Sequence, residues 1–497
     1  MTAIRFLILF TILCYARSQL LTNTAKLNGK CQTDDQCSPP YIICRDAVCN
    51  HKRLFPMTAM EIGALFIMIF LVVLAMMFSL AGGQLIVPIA MIMMGFSAVE
   101  AVTLSNSITF LTTLTKYVVG LFLRNPNVEY KTIVDYNSAI ILIPPIAFFS
   151  TIGGILSAMF PELLLMFIML ALLLFAFVTM VLYIRVLRRQ RRLANVNKNN
   201  HHSIDINEQE HHKTILSESL TIHIESETEY PVAPGNDHHT ENLQATESNN
   251  TYTGNQIERE KQKLIEGSNF YWKKFGLIFA NVIFAIMLSI FRGGRGFNSV
   301  IGATRCSAGD WIILVLYLLL MAAASLIGYT VIIKEQNKKE RIEWKQVFEV
   351  KYDTKKYLLA TAWTSFSGIA VTLAGVGAAA MLNPMFALLK YSPVTTSWTN
   401  NMITMVSKIA AVSILALSGA MQFDYVGFYG FLISFAVIIG ENTLMKLIKK
   451  KNNQIMIPAG QLMILTISFI ITLYIGIEKW KSRAAQGEPV FPFTSYC

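Results

Sequence analysis

Two stretches of equal length decide the fold: SLAGGQLIVP, Ser79 to Pro88, and GVGAAAMLNP, Gly375 to Pro384. In each, small residues cluster ahead of a proline at the same distance. Each leads into an apolar stretch, 84–95 and 384–390, far shorter than the ~20 residues a helix needs to cross a bilayer. Interrupted backbone at membrane depth is tolerated only inside protein or beside a water-filled cavity. Both stretches therefore read as half-spans or re-entrant segments. Their sequels match as well. GFSAVEAVTLSNSIT (Gly95 to Thr109) and YSPVTTSWTNNMIT (Tyr391 to Thr404) pair Ser97 with Ser392 and, after a one-residue gap, Asn106 with Asn401. Each then enters a long apolar helix carrying one lysine, Lys116 or Lys408. Small-residue runs alone also serve close helix packing, but the duplicated order is more specific. An odd number of segments separates the copies, so they run in opposite orientation. Inverted repeats with broken helices are the architecture of secondary transporters, with the site at the repeat interface near the midplane.

The rest of the chain agrees. Of 497 residues, 54% are hydrophobic and only 15% charged, with mean hydropathy +0.47; a soluble protein carries about 25% charged residues. This excludes disorder, a collagen-like chain and a water-soluble enzyme for most of the length. Further apolar stretches fall at 57–80, 99–123, 138–159, 162–185, 275–291, 311–333, 357–381, 396–418, 425–445 and 456–477. The expected fold is all-α, a polytopic transmembrane helical bundle with two inverted repeats, each containing a short broken or re-entrant helix. Net charge is +11, yet the basic residues flank apolar stretches and no nucleic-acid motif is present. They read as topology signals, not as a nucleic-acid surface.

Residues 1–18, with Arg5 before FLILFTILCYA, read as a secretory signal peptide. A cysteine-rich outer segment follows at 19–56, then a first transmembrane repeat at 57–185 and a cytoplasmic, His-rich polar loop at 186–273. An additional helix pair spans 274–333 and a basic cytoplasmic loop 334–356. The second repeat spans 357–477 and an outer tail 478–497. This count places RVLRRQRR (Arg185 to Arg192), KEQNKKERIEWK from Lys334 and KLIKKK (Lys446 to Lys451) inside, satisfying the positive-inside rule three times. Arg292, Arg295 and Arg305 run against it and read as a solvated outer loop. The protein is expected in the plasma membrane or an endomembrane reached by secretion. Cys14 leaves with the signal peptide. Cys31, Cys37, Cys44, Cys49, Cys306 and Cys497 then all lie outside and are disulfide candidates. Zinc is the rival for the first four, but their C-x5-C-x6-C-x4-C spacing lacks the C-x2-C knuckle.

An anion in mid-membrane needs fixed positive charge or oriented donors to replace its water. A half-helix N-terminus supplies both. Gly82 and Gly83 precede one half-helix, and Gly377 with Ala378 the other; without side chains they admit a substrate to the backbone. Asn106 and Asn401 are candidate hydrogen-bond donors. Lys116 and Lys408 are candidate counter-charges, since a lysine at a helix centre costs roughly 2.5–3.5 kcal/mol on an insertion scale; the alternative is snorkelling. Glu441 reads as a proton-coupling acid, a lysine partner or an interfacial pair with Lys446, and Glu100 as a helix cap. Residues 195–268 read as largely disordered, with paired histidines that bind metal or belong to a plain linker. No catalytic motif and no cofactor signature is present.

The order of these features resembles the TauE/SafE family of sulfite exporters, also described as four-toluene-sulfonate uptake permeases. AGGQLIVPIAMIMMGFSAVEAVTLSNS (Ala81 to Ser107) matches the family pattern of a glycine-rich stretch, an apolar run ending in proline and a turn before a polar-containing helix. GVGAAAMLNPMFALLKYSPVTTSWTNN (Gly375 to Asn401) is a looser match, with Ala378 and Ala379 in place of glycines. The resemblance covers 57–185 and 311–477. It implies movement of small sulfite-like or organosulfonate anions without ATP hydrolysis. The implied partners are the anion, the lipid bilayer and a coupling ion, H+ or another. Two alternatives remain open from sequence: a divalent-metal transporter, and a receptor or scaffold with a disulfide-bonded outer module.

Overall fold

A computed structural model describes residues 31–33, 37, 41–45, 48–125, 128–211, 272–293, 299–302, 307–341, 350–373, 375, 377–389, 391–417, 421–451 and 456–486. The expected signal peptide, Cys306, Cys497, Arg295, Arg305 and the loop from residue 212 onward lie outside the described residues. The chain divides into two units, Met1–Ile184 with Ile265–Cys497, and Arg185–Leu264. Of the second unit, residues 185–211 are described and are helical. The helix thus runs on past residue 186, where the sequence reads as loop; its Arg-, Leu- and Gln-rich start favours helix.

The described elements are a hairpin of β1 (Ile42–Arg45) and β2 (Val48–His51), then α1 (Ala59–Met77), α2 (Gly83–Met93) and α3 (Ala98–Leu121). A second small hairpin, β3 (Arg124–Asn125) and β4 (Val128–Thr132), precedes α4 (Tyr136–Met159) and α5 (Glu162–His211). There follow α6 (Trp272–Arg292), α7 (Ala308–Arg341), α8 (Thr354–Leu373), α9 (Ala378–Leu388), α10 (Pro393–Leu417), α11 (Phe423–Lys451) and α12 (Met456–Gln486). Among the described residues, seven helices are long and apolar enough to cross a membrane: α1, α4, α6, α7, α11, α12 and the first half of α5. The chain is a multi-pass integral membrane protein built of helices. Helices α3, α8 and α10, of 24, 20 and 25 residues, are long enough but carry buried Ser, Thr and Asn. They form the polar interior with α4, while α7 turns Trp311, Ile312 and Leu319 outward.

Local sequence sets the helix starts. Thr58 and Glu61 form a capping box on α1, and Ser97 with Glu100 forms another on α3, so two orphan donors are satisfied at each. Glu100 is the cap its position implies. The helix breaks are backbone features. Ser79 takes φ 65° and Gly375 φ 68°, and these two occupy the same place in the paired ten-residue stretches. A left-handed serine costs roughly 1–2 kcal/mol relative to the right-handed form. The second half-helix begins at Ala378, earlier than its apolar run, so Ala378 to Ala380 belong to the helix instead of preceding it. Likewise α8 stops at Leu373, short of residue 381, because the left-handed Gly375 ends it.

Each short helix packs against the long one before it. The Met93 methyl lies 3.4 Å from where a Cβ on Gly63 would be, and His51 Nε2 contacts the Met94 carbonyl at 3.0 Å, so α2 ends where α1 begins. Trp363 donates to the Met381 carbonyl across α8 and α9. Tyr391, just beyond α9, and Tyr352, just before α8, both bond Ser138. The far ends of the two short helices therefore meet different neighbours in the bundle. One end carries the β1–β2 hairpin, where Tyr425 OH donates to Glu61 at 2.6 Å and Ala98 N–H to Glu162 at 3.0 Å. At the other, Tyr117 meets Tyr136 at 3.3 Å and Lys274 pairs with Glu335 on α7. The basic runs Lys334–Arg341 and Lys446–Lys451 follow helices that reach this second end.

Four of the candidate cysteines are joined, Cys31 to Cys44 and Cys37 to Cys49. They staple a hairpin too small to bury a core. Peptide mapping after alkylation without reduction should recover these two linked pairs and no alkylated thiol at the four positions. Free thiol there would refute the pairing.

Candidate functional site

The two helix breaks meet in the middle of the bundle, backbone against backbone. A Cβ on Gly83 would lie 2.3 Å from the Gly375 carbonyl oxygen and 3.0 Å from Ser105 Oγ; one on Gly377 would lie 2.8 Å from the Ala81 methyl. Glycine at 83 and 377 is what lets the breaks touch. Carbonyls freed by the interruption find hydroxyls on α3: Ser105 donates to the oxygens of Gly83 (3.0 Å) and Gly375 (3.4 Å), and Thr109 to that of Ala81 (3.3 Å). At the start of α2 the N-cap, Gly82 at φ 73°, offers no side chain. That end presents the positive pole of the helix without a capping anion.

Both candidate lysines are buried, Lys116 at 1% exposure and Lys408 at 0%, so neither snorkels. Lys408 Nζ donates to Asn106 Oδ1 at 2.5 Å and to the Val371 carbonyl at 3.3 Å. Lys116 Nζ donates to the Met76 carbonyl at 2.8 Å and pairs with Glu441 at 2.5 Å. Met76 and Val371 lie in the last turns of α1 and α8. Each lysine thus sets a cation against the negative C-terminal end of the helix that precedes a break.

Of the residues singled out from sequence, Gly82, Gly83, Gly377, Asn106 and Lys408 converge on the meeting point or bond to residues that do. Asn401 is used elsewhere, donating to the Thr113 carbonyl at 2.9 Å and tying α10 to α3. Sequence reasoning passed over a set of buried amides and hydroxyls. Both polar atoms of Gln84, Nδ2 of Asn106 and of Asn383, Oδ1 of Asn400 and Oγ1 of Thr404 are buried without a hydrogen-bond partner. Asn383 and Asn400 bond each other through their remaining amide atoms. Each unpartnered buried group costs about 1–3 kcal/mol, so these atoms are candidates to hold a polar guest. The signal was available: Gln84 follows the glycine pair directly, and Asn383 stands where the first stretch has Val87.

Hydrogen-bonded clusters lie toward both ends of the bundle. Toward the hairpin, Glu61 accepts from Lys52 (2.7 Å) and Tyr425, and His51 stacks on Phe96 at 4.1 Å. Toward the other end, Asp135 accepts from Tyr391 and from Ser138 (2.7 Å), and its N–H donates to Thr399 (2.9 Å). A cavity beside α2 is apolar, lined by Val87, Pro88, Met91 and Leu373 among others, and is separate from these groups. Arg292 corrects the solvated-loop expectation: it is buried and forked onto Asp310 at 2.5 and 3.1 Å. Glu441 pairs with Lys116, not with Lys446.

Gly83→Ala should lower stability in detergent by about 1–3 kcal/mol, the usual scale of overpacking, because the methyl meets a backbone oxygen that cannot swing away. Gly276→Ala, with open space around it, should be neutral or slightly stabilising. Thermal unfolding of both variants checks the contact; equal stability would remove it. No protein-family model, curated protein or solved structure matches the chain.

Proposed function

We propose that the chain is a secondary transporter of small anions, of the sulfite or organosulfonate type implied by its resemblance to the TauE/SafE family. In this reading α1–α5 and α8–α12 are inverted repeats, and α2 and α9 are re-entrant half-helices whose N-termini flank the substrate. The observation that carries it is the contact of Gly83 with Gly375, with the buried Lys408–Asn106 pair and the buried, unpartnered Gln84 amide. A cation, amide donors, hydroxyls and an uncapped helix N-terminus form a donor set for an oxyanion. Neither GQLIVPIAMIM (α2) nor AAAMLNPMFAL (α9) contains Asp, Glu, His or Cys, the residues a divalent cation requires. The end clusters at Glu61 and Asp135 act as gates that open in alternation. The basic runs at one end support a cytoplasmic face there and an outer face for the disulfide hairpin.

Purified protein in proteoliposomes should show saturable flux of labelled sulfite or a sulfonate. Lys408→Ala should reduce that flux at least tenfold with surface expression intact, and unchanged flux would overturn the site. Zn2+ flux in place of anion flux would favour a metal transporter.

A further inference from the structure

The two buried lysines play matching parts on helices α3 and α10, yet their second partners differ. Lys408 reaches the Asn106 amide. Lys116 reaches a carboxylate, Glu441 Oε1, at 2.5 Å, with side-chain exposures of 1% and 3%, and lies 5.1 Å from the centre of the Trp398 ring. A buried ion pair of this kind adds little stability, since desolvation of both charges offsets their attraction. Ionisable pairs inside spans instead mark ion and proton paths. Glu441 is a buried carboxylate that the anion site leaves unused, and the pair joins α3 of one half to α11 of the other.

We propose that Glu441 is a proton-binding site that couples anion movement to the proton gradient; this rests on the anion-transporter reading above. With Glu441 ionised, the charge of Lys116 is neutralised internally. A proton taken from water onto a Glu441 carboxylate oxygen removes that negative charge, and the Lys116 ammonium is released to face the substrate anion. One proton and one monoanion then cross together with no net charge moved. Loss of the proton on the far side restores the ion pair and expels the anion.

The surroundings isolate this exchange. Helix α11 packs on α1 and α3. The charged side chain of α1, Glu61, sits at its opposite end, as does Glu100 of α3, which leaves Lys116 facing Glu441. Tyr117, next along α3, is bonded to Tyr136. From α10 comes the Trp398 ring, while Lys408 is held at Asn106. On α11 itself, Lys446 is exposed. Val73 and Met77 of α1 cover Gly440 beside the carboxylate.

The test uses labelled methanesulfonate, which stays ionised throughout the working pH range, so any proton dependence belongs to the protein. Full-length protein in proteoliposomes is given an inward proton gradient of one pH unit, and anion-for-anion exchange is measured separately at equal pH. Wild type should accumulate the anion about tenfold, the ratio one proton per anion allows, and external methanesulfonate should acidify the lumen. Glu441→Gln, neutral and of the same size, should keep exchange and lose gradient-driven accumulation. Exchange by wild type without accumulation or lumenal acidification would overturn the proton site, as would accumulation by Glu441→Gln. Absence of both exchange and uptake in folded wild type would overturn the anion-transporter reading itself. The lumenal pH measurement on wild type decides the matter even if the variant fails to fold.

Discussion

Everything in this structure depends on breaking two helices in the middle of an apolar bundle and placing the broken ends against each other. An interrupted helix exposes N–H and C=O groups that lipid cannot satisfy. Burying Gly83 against Gly375 removes both breaks from lipid at once. The remaining demand falls on neighbouring side chains, and this explains why α3 and α10 are rich in Ser, Thr and Asn where the outer helices are not. Helices so polar are poor lipid neighbours. They take the centre, and α6, α7 and α12, along with the first part of α5, form the apolar jacket.

The same breaks organise the electrostatics. Helices α1 and α8 end inside the bundle, so their last carbonyls form negative poles in a medium of low dielectric. Lys116 and Lys408 answer those poles through Met76 and Val371. Two carboxylates at the rims of the bundle are held by tyrosine hydroxyls: Glu61 by Tyr425, Asp135 by Tyr391. Burial, with Asp135 nearby, pushes the Tyr352 hydroxyl above its ordinary value, so it remains a neutral donor to Ser138.

Legibility in the sequence followed the range of the interaction. The cap at Glu100, the position of each break and the four joined cysteines lie within short windows, and local chemistry reports them. The extent of the second half-helix was harder. Ala378 to Ala380 read equally as a flexible break or a helix start, and only the left-handed Gly375 settles where the chain turns. Asn401 illustrates the limit. Its alignment with Asn106 was visible, but its engagement by the Thr113 carbonyl depends on the register of α10 against α3, which neither helix encodes by itself.

The sequence by itself determined that the chain lives in a membrane, that two apolar stretches are too short to cross it, and that four clustered cysteines near the N-terminus suit disulfides. These follow from composition, periodicity and nearest-neighbour chemistry. Only the tertiary structure decided that the breaks touch, that Lys408 meets Asn106 while Lys116 meets Glu441, and that Gln84 and single polar atoms of Asn106, Asn383, Asn400 and Thr404 are buried without a partner. Those pairings join residues hundreds of positions apart. An apolar stripe tells a helix to bury one face, but the partner it meets and the register at which they pack are chosen by the packing of the whole bundle.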